Sequence, residues 1–180
     1  MANITTRPVT KLGIVGAGSV GTALAYASLI REAAREIVIY DIDATRAEAE
    51  ALDLSHGTQF TGANTVAGGG RIEALAGSDV IVVTAGARQK PGQTRLDLAA
   101  ANVRIMETLM PALMEQAPEA VYILVTNPCD ILTVAAQKIT GLPPNRIFSS
   151  GTVLDTSRLR LLVARQAHVL MTSVHATIIG

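Results

Sequence analysis

The chain has 180 residues, with fifteen basic against fifteen acidic side chains and one cysteine. That length suffices for one domain with a real core, and the balanced charge removes the electrostatic basis for holding nucleic acid or an anionic membrane surface. Cys129 alone permits neither an internal disulfide nor a cysteine-based metal site, so a reducing cytoplasm is expected and no metal is expected; its side chain is read as a small core group.

Residues 12–30 carry no charge, a run long enough to suggest a membrane span. Gly13, Gly16, Gly18 and Gly21 crowd its first half, which suits a strand, a tight turn and a helix start instead. Lys11 precedes the run, but no small-residue cleavage site follows as in a signal peptide, so neither membrane insertion nor secretion is expected. Apolar runs at 12–15, 37–40, 80–84 and 121–125, with weaker ones near Val66 and Ile147, alternate with amphipathic stretches. Strands buried on both faces read as such continuous runs, and helices between them require a parallel sheet with right-handed crossovers.

GAGSVG at 16–21 follows the first of these strands and opens a helix. Gly16 permits the tight turn, Gly18 lets backbone approach a pyrophosphate, and Gly21 lets helix pack on strand, with the amides of the helix start facing the phosphates. Asp41 ends the second strand. A carboxylate there accepts hydrogen bonds from both ribose hydroxyls and repels a 2′-phosphate, which argues for NAD over NADP. Asp43 is placed to cap the next helix. The predicted fold class is therefore α/β, a Rossmann-type doubly wound parallel sheet.

The run TAGARQKPGQTRLDL at 84–98 turns from apolar to cationic, and Gly86, Pro91 and Gly92 break any regular element. This reads as a mobile lid over an anionic ligand, with Gln89 the candidate substrate-selecting residue and Arg95 the candidate catalytic one. From 98 to 114, Val103, Met106, Leu109, Met110 and Leu113 recur at helical spacing as core packing. GLPPN at 141–145 is the clearest loop. Asp155 and Arg158, three apart on a predicted helix, share a face; Arg160, two residues further, is turned by about 200°.

Together with GAGSVG, YDID and GARQKPGQTRLDL, the fragments VTNPCD at 125–130, GTVLDTSRLR at 151–160 and VHATIIG at 174–180 resemble the L-lactate and malate dehydrogenase family, most closely the bacterial L-lactate dehydrogenases, over essentially the whole chain. The resemblance implies an NAD-binding domain over residues 1–150 and the start of an α+β substrate domain over 151–180. It implies hydride transfer between the nicotinamide and a 2-hydroxy or 2-oxo acid, here L-lactate and pyruvate. Arg158 would hold the substrate carboxylate, Arg95 would polarise the reacting carbonyl, Asn127 would bind the reacting oxygen, and Asp155 would orient a catalytic histidine. Val20, Arg46, Gly86, Ala87, Val125, Thr126 and Asn127 carry over as further cofactor contacts. Arg160 and His175 carry over as ligands of an allosteric effector, fructose 1,6-bisphosphate, across an interface of a homotetramer. Asp53 and His56 are read as helix-end packing and hydrogen bonding, and His168 as a surface residue.

One departure limits the resemblance. The family's proton-exchanging histidine follows a glycine that matches Gly180, and His56, His168 and His175 do not match it, so the chain as given is expected to be the N-terminal portion of such an enzyme and inactive alone. Gln89 stands where malate enzymes carry arginine, which favours lactate over malate, although Arg88 is one residue away. A malate or broader 2-hydroxyacid dehydrogenase remains the alternative, and a non-catalytic NAD-binding module is the alternative of another class.

Overall fold

The computed structural model describes residues 8–62, 64–89 and 91–179. Six parallel strands form one sheet: β1 (Lys11–Val15), β2 (Glu36–Tyr40), β3 (Thr65–Gly69), β4 (Val80–Val83), β5 (Val121–Leu124) and β6 (Ile147–Ser149), in the order β3-β2-β1-β4-β5-β6. Among the described residues five α-helices accompany them: α1 (Ser19–Ile30), α2 (Ala44–His56), α3 (Arg95–Gln116), α4 (Cys129–Thr140) and α5 (Gly151–Ala167). This is the expected doubly wound sheet.

Alternate side chains along the strands separate into two cores, as the two-residue period requires. Ile37 and Ile39 of β2 and Val82 of β4 join Ala25 and Leu29 of α1 and Ala47, Ala51 and Leu54 of α2. Val38, Ile81 and Val83 join Met106, Met110 and Leu113 of α3 and Leu132 and Ala136 of α4. Both faces of the sheet are thus covered, which is why the strands read as unbroken apolar runs. Tyr122 of β5 is fully buried and its hydroxyl lies 2.8 Å from the Ala117 carbonyl and 3.2 Å from that of Leu113. Burial pushes this phenol up to about 12 against the opposing pull of Arg146, so it stays neutral and serves as a strut between β5 and the end of α3.

Three boundaries differ from expectation. β4 and β5 each stop one residue early, because Thr84 turns its hydroxyl back onto the carbonyls of Val15 and Gly16 and Thr126 onto that of Ala85. Helix α3 begins at Arg95 rather than at Leu98, so the irregular run is shorter than its glycines and proline suggested. The cause is a capping box: the Thr94 hydroxyl accepts from the Asp97 amide while the Asp97 carboxylate accepts from the Thr94 amide. Such a cap stabilises a helix start by about 1 kcal/mol. The Thr94 hydroxyl also donates to Asp97, and with the backbone bond it lowers the carboxyl from its ordinary value.

Candidate functional site

The strand order reverses direction between β1 and β4. The chain leaves β1 toward β2 and β3, then returns to lay β4 on the other side of β1. Loops leaving the carboxyl ends of β1 and β4 diverge there, and in open α/β sheets that crevice is where ligands bind. A cleft of about 840 Å³ opens at this point. Its walls include Gly16, Gly18 and Val20 after β1, Asp41 and Arg46 after β2, Gly86, Ala87 and Gln89 after β4, and Val125, Thr126 and Asn127 after β5. Those residues are distant in sequence, and one topological feature collects them.

The glycines divide their work. Gly16 has φ +108°, and a Cβ on it would meet the Thr84 hydroxyl at 2.7 Å and the Ala85 amide at 2.8 Å. Gly21 is buried within α1, and a Cβ there would run into the Gly16 carbonyl. A Cβ on Gly18 would meet nothing within 4 Å, because it would project into the cleft. Gly18 is also the N-cap of α1 and supplies no side-chain cap, so the helix start offers its amides, and the positive end of its dipole, to an anion. The Asp41 carboxylate is fixed by the Ala17 amide at 2.6 Å and the Asp43 amide at 3.0 Å. Asp43 in turn caps α2, accepting from the Arg46 amide at 3.1 Å, and Arg46 is exposed on the first turn of α2 while also lining the cleft. Open space over Gly18, uncapped amides behind it and a carboxylate at the end of β2 fit the pyrophosphate and ribose of a dinucleotide.

Several lining residues were not legible as such. Ile42, 92% exposed, and Ile72, Ile105, Thr108, Leu109 and Ala112 supply an apolar wall. Leu109 packs against the core as expected and reaches the cleft as well. Helical spacing identifies an apolar face but not what lies opposite it.

The profile described as the NAD-binding domain of lactate/malate dehydrogenases matches residues 10–149. The chain belongs to this family. NAD is accordingly its cofactor, in agreement with the cleft. An L-lactate dehydrogenase of Bifidobacterium animalis subsp. lactis is 50% identical over the whole chain, and one of Thermus aquaticus 44% identical over 94% of it. The chain spans about half the length of these relatives, 56% and 54%. Among solved structures, a ligand-bound minor L-lactate dehydrogenase of Enterococcus mundtii superposes on 97% of the chain, and on 55% of its own, with a TM-score of 0.88 at 38% identity. A malate dehydrogenase of Picrophilus torridus covers 96% of the chain and 55% of its own with a TM-score of 0.90 at 36% identity. An Archaeoglobus fulgidus malate dehydrogenase in complex with NADH matches 87% of the chain and 53% of its own, at 40% identity and a TM-score of 0.83.

The remaining site residues of the dehydrogenase pattern lie outside the cleft walls. Arg95 occupies the first position of α3 and is exposed. Asp155 and Arg158 share a face of α5, as their spacing requires, and pair with each other at 3.0 Å while both remain exposed. Arg160 is turned away from them: its Nε donates to the Ala176 carbonyl at 2.7 Å and Nη2 lies 3.5 Å from the Thr177 hydroxyl. His175 is exposed in the irregular segment after the short turn Met171–Ser173. His168 is an exposed left-handed residue that ends α5.

Cys129 is not a core residue. It opens α4 half-buried, with its Sγ 3.2 Å from the Val125 carbonyl and 3.6 Å from Asn127 Oδ1. Burial and then the adjoining Asp130 charge push the thiol up, so it stays protonated and is no nucleophile. Asp53 and His56 are exposed on the last turn of α2 rather than packed there. Among the described residues no group of three or more His, Cys, Asp or Glu could hold a metal, and no helix is long and apolar enough to cross a membrane.

Proposed function

We propose that the protein carrying this chain is an NAD-dependent L-lactate dehydrogenase that interconverts pyruvate and L-lactate. The observation that carries the reading is Gln89, which lines the same cleft as Gly18, Asp41 and Asn127. When bound, NAD accepts or delivers the hydride. The chain's own groups bind and orient. Gly16, Gly18, Val20, Gly21, Asp41, Arg46, Gly86, Ala87, Val125 and Thr126 shape the cofactor cleft, and Asn127 hydrogen-bonds the reacting oxygen. Arg158 takes the substrate carboxylate as a planar two-point partner, and Arg95, carried on the lid, polarises the carbonyl once water is expelled. Asp155 orients the proton-exchanging histidine and favours its charged form. In the structure Asp155 and Arg158 hold each other, so substrate and histidine replace that exposed pair, which is worth little by itself.

We divide the chain at residue 150. The segment beyond it ties to itself: Arg160 holds Ala176, and the Ile178 amide donates to Thr156 Oγ1 at 3.0 Å. Val153, Leu154, Leu161 and Leu162 stay exposed along α5, as befits the beginning of a second unit. Among the described residues, none of His56, His168 and His175 lines the cleft. The complete enzyme is taken to be a cytoplasmic homotetramer.

Malate dehydrogenase is the second reading, because Arg88 also lines the cleft and could pair with a second carboxylate. Steady-state assays of the complete enzyme with NADH separate the two: faster reduction of pyruvate than of oxaloacetate is expected. The opposite preference would establish the malate reading. Binding of NADH with reduction of neither acid would leave only a non-catalytic binding module.

Arg160 and His175 are assigned to fructose 1,6-bisphosphate. Since Arg160 Nε is engaged by Ala176, the effector would draw on the remaining guanidinium donors. Activation of the complete enzyme by the bisphosphate is expected to disappear in Arg160→Gln and in His175→Ala. Equal activation of all three proteins would remove both residues from this role.

A further inference from the structure

Asn102 lies in the middle of α3, is 0% exposed, and belongs to neither the strand ends nor the motifs that form the cleft. Both ends of its carboxamide are engaged. Oδ1 accepts from the Ala87 amide at 2.7 Å, and Nδ2 donates to the Asn127 carbonyl at 2.9 Å. Ala87 is in the loop after β4 that leads into the lid; Asn127 is in the loop after β5. One side chain therefore joins the base of the lid to the backbone of the residue assigned to the reacting oxygen.

A second cross-link supports the same spacing. Thr126 Oγ1 donates to the Ala85 carbonyl at 2.7 Å, and a Cβ on Gly86 would strike the Thr126 methyl and come within 3.0 Å of Asn102 Oδ1. The two loops are thus in close contact at Gly86, with Asn102 closing the contact from behind. We infer that Asn102 is a positioning residue for the reaction: it fixes the lid's base and Asn127 in one register at the reacting end of the cleft. The inference rests on the dehydrogenase reading for Asn127, although the bridge itself does not.

Location separates this role from the ribose anchor at Asp41, although Ala87 and Asn127 themselves line the cofactor cleft. The bridge joins the loops after β4 and β5, whereas Asp41 directly follows β2, two strands from β4 across β1. At about 4.8 Å between neighbouring strands, the adenosine end is on the order of 10 Å away. Disturbing Asn102 should therefore harm turnover more than NADH binding. A polar group buried only for core integrity would lower stability and leave the folded enzyme's kcat alone.

The test compares Asn102→Leu, which keeps the branched outline and removes both bonds, with Asn102→Asp, which keeps an acceptor for Ala87 and, as a carboxylate, loses the donor to Asn127. In the complete enzyme kcat should fall about tenfold or more in Asn102→Leu and by less in Asn102→Asp, the size expected for one or two lost hydrogen bonds. KM for NADH should stay within about threefold in both, since each factor of ten in binding needs a further 1.4 kcal/mol that these bonds do not supply at the adenosine end. Should the leucine variant fail to fold, the aspartate variant carries the comparison. Deuterium uptake at residues 85–89, which does not depend on the substrate, should quicken in the leucine variant, or in Asn102→Ser if leucine is not tolerated. A folded Asn102→Asp enzyme with wild-type kcat, or a loss confined to KM for NADH, would overturn the inference. An enzyme that reduced neither pyruvate nor oxaloacetate would overturn the proposed function instead, and faster uptake at 85–89 would still sustain the bridge.

Discussion

Gly21→Ala is expected to destabilise the fold, while Gly18→Val is expected to leave the fold nearly intact and abolish cofactor binding. At residue 21 the new Cβ would collide with the Gly16 carbonyl and approach Thr84 Oγ1 to 2.9 Å. Neither neighbour can yield cheaply. The carbonyl is backbone in a turn already at φ +108°, and Thr84 is held by Val15 and Gly16. Overpacking of this kind costs about 1–3 kcal/mol, and in a chain of this size each kcal/mol lowers Tm by about 2–4 °C. At residue 18 the backbone is extended, at φ −76° and ψ 177°, which valine adopts readily. The added Cβ meets no atom beyond its chain neighbours within 4 Å, and a poorer N-cap costs about 1 kcal/mol or less. The valine carbons occupy the space assigned to the pyrophosphate, and NADH affinity should fall at least about a hundredfold, near 2.7 kcal/mol. Thermal melts and NADH fluorescence titration on the same preparations check both halves. A Gly18→Val protein that still bound NADH normally would remove the helix start of α1 from the cofactor site.

The contrast between these glycines was readable in sequence, because GAGSVG between an apolar strand and a helix imposes three different steric demands. The two weak strands were harder to place. β3, TVAGG, has almost no side chain to bury, and it holds its position through backbone pairing with β2. β6 is three residues long and stands at the edge of the sheet beside β5. Such elements are fixed by their neighbours rather than by their own pattern.

Within the site, the contacts from strand ends were legible and those from α3 were not. A motif places Asp41 and Asn127 at the carboxyl edge of a sheet, and the topology then brings them together. Ile105 and Thr108 depend on how α3 lies over the diverging loops, which periodicity does not encode. Asn102 did leave a signal. It stands four residues before Met106 and eight before Met110, on the apolar stripe of its helix, and a carboxamide in that stripe must find partners. Which partners they were required the two loops to be in place. Arg95, Asp155 and Arg158 are a further case: resemblance assigns them a common substrate, while the described residues leave them on exposed helix surfaces, one on α3 and two on α5.

Gln89→Arg is expected to shift the complete enzyme from pyruvate toward oxaloacetate. Gln89 is exposed in the loop after β4, its Nε2 donating to the Gln93 carbonyl at 2.8 Å, so the loop is braced by the side chain yet has room for a longer one. Arginine can keep that donor contact, and the fold is not expected to suffer. The effect belongs to the closed state. With glutamine, the second carboxylate of oxaloacetate would enter a water-poor pocket without a partner, a cost of several kcal/mol. With arginine the charge is met by a planar, two-point donor, while pyruvate, whose methyl group has nothing to offer a guanidinium, is left facing a desolvated cation. Both changes act on the ratio in the same direction. A differential of about 3 kcal/mol corresponds to roughly a hundredfold change in relative kcat/KM. Arg88 provides the control, since it lines the same cleft one residue away. If register places Gln89 toward the substrate, Arg88→Gln should leave the preference nearly unchanged. If Arg88→Gln instead lowered oxaloacetate reduction and Gln89→Arg did nothing, the selecting position would be residue 88, and the chain would belong with the malate enzymes of its family.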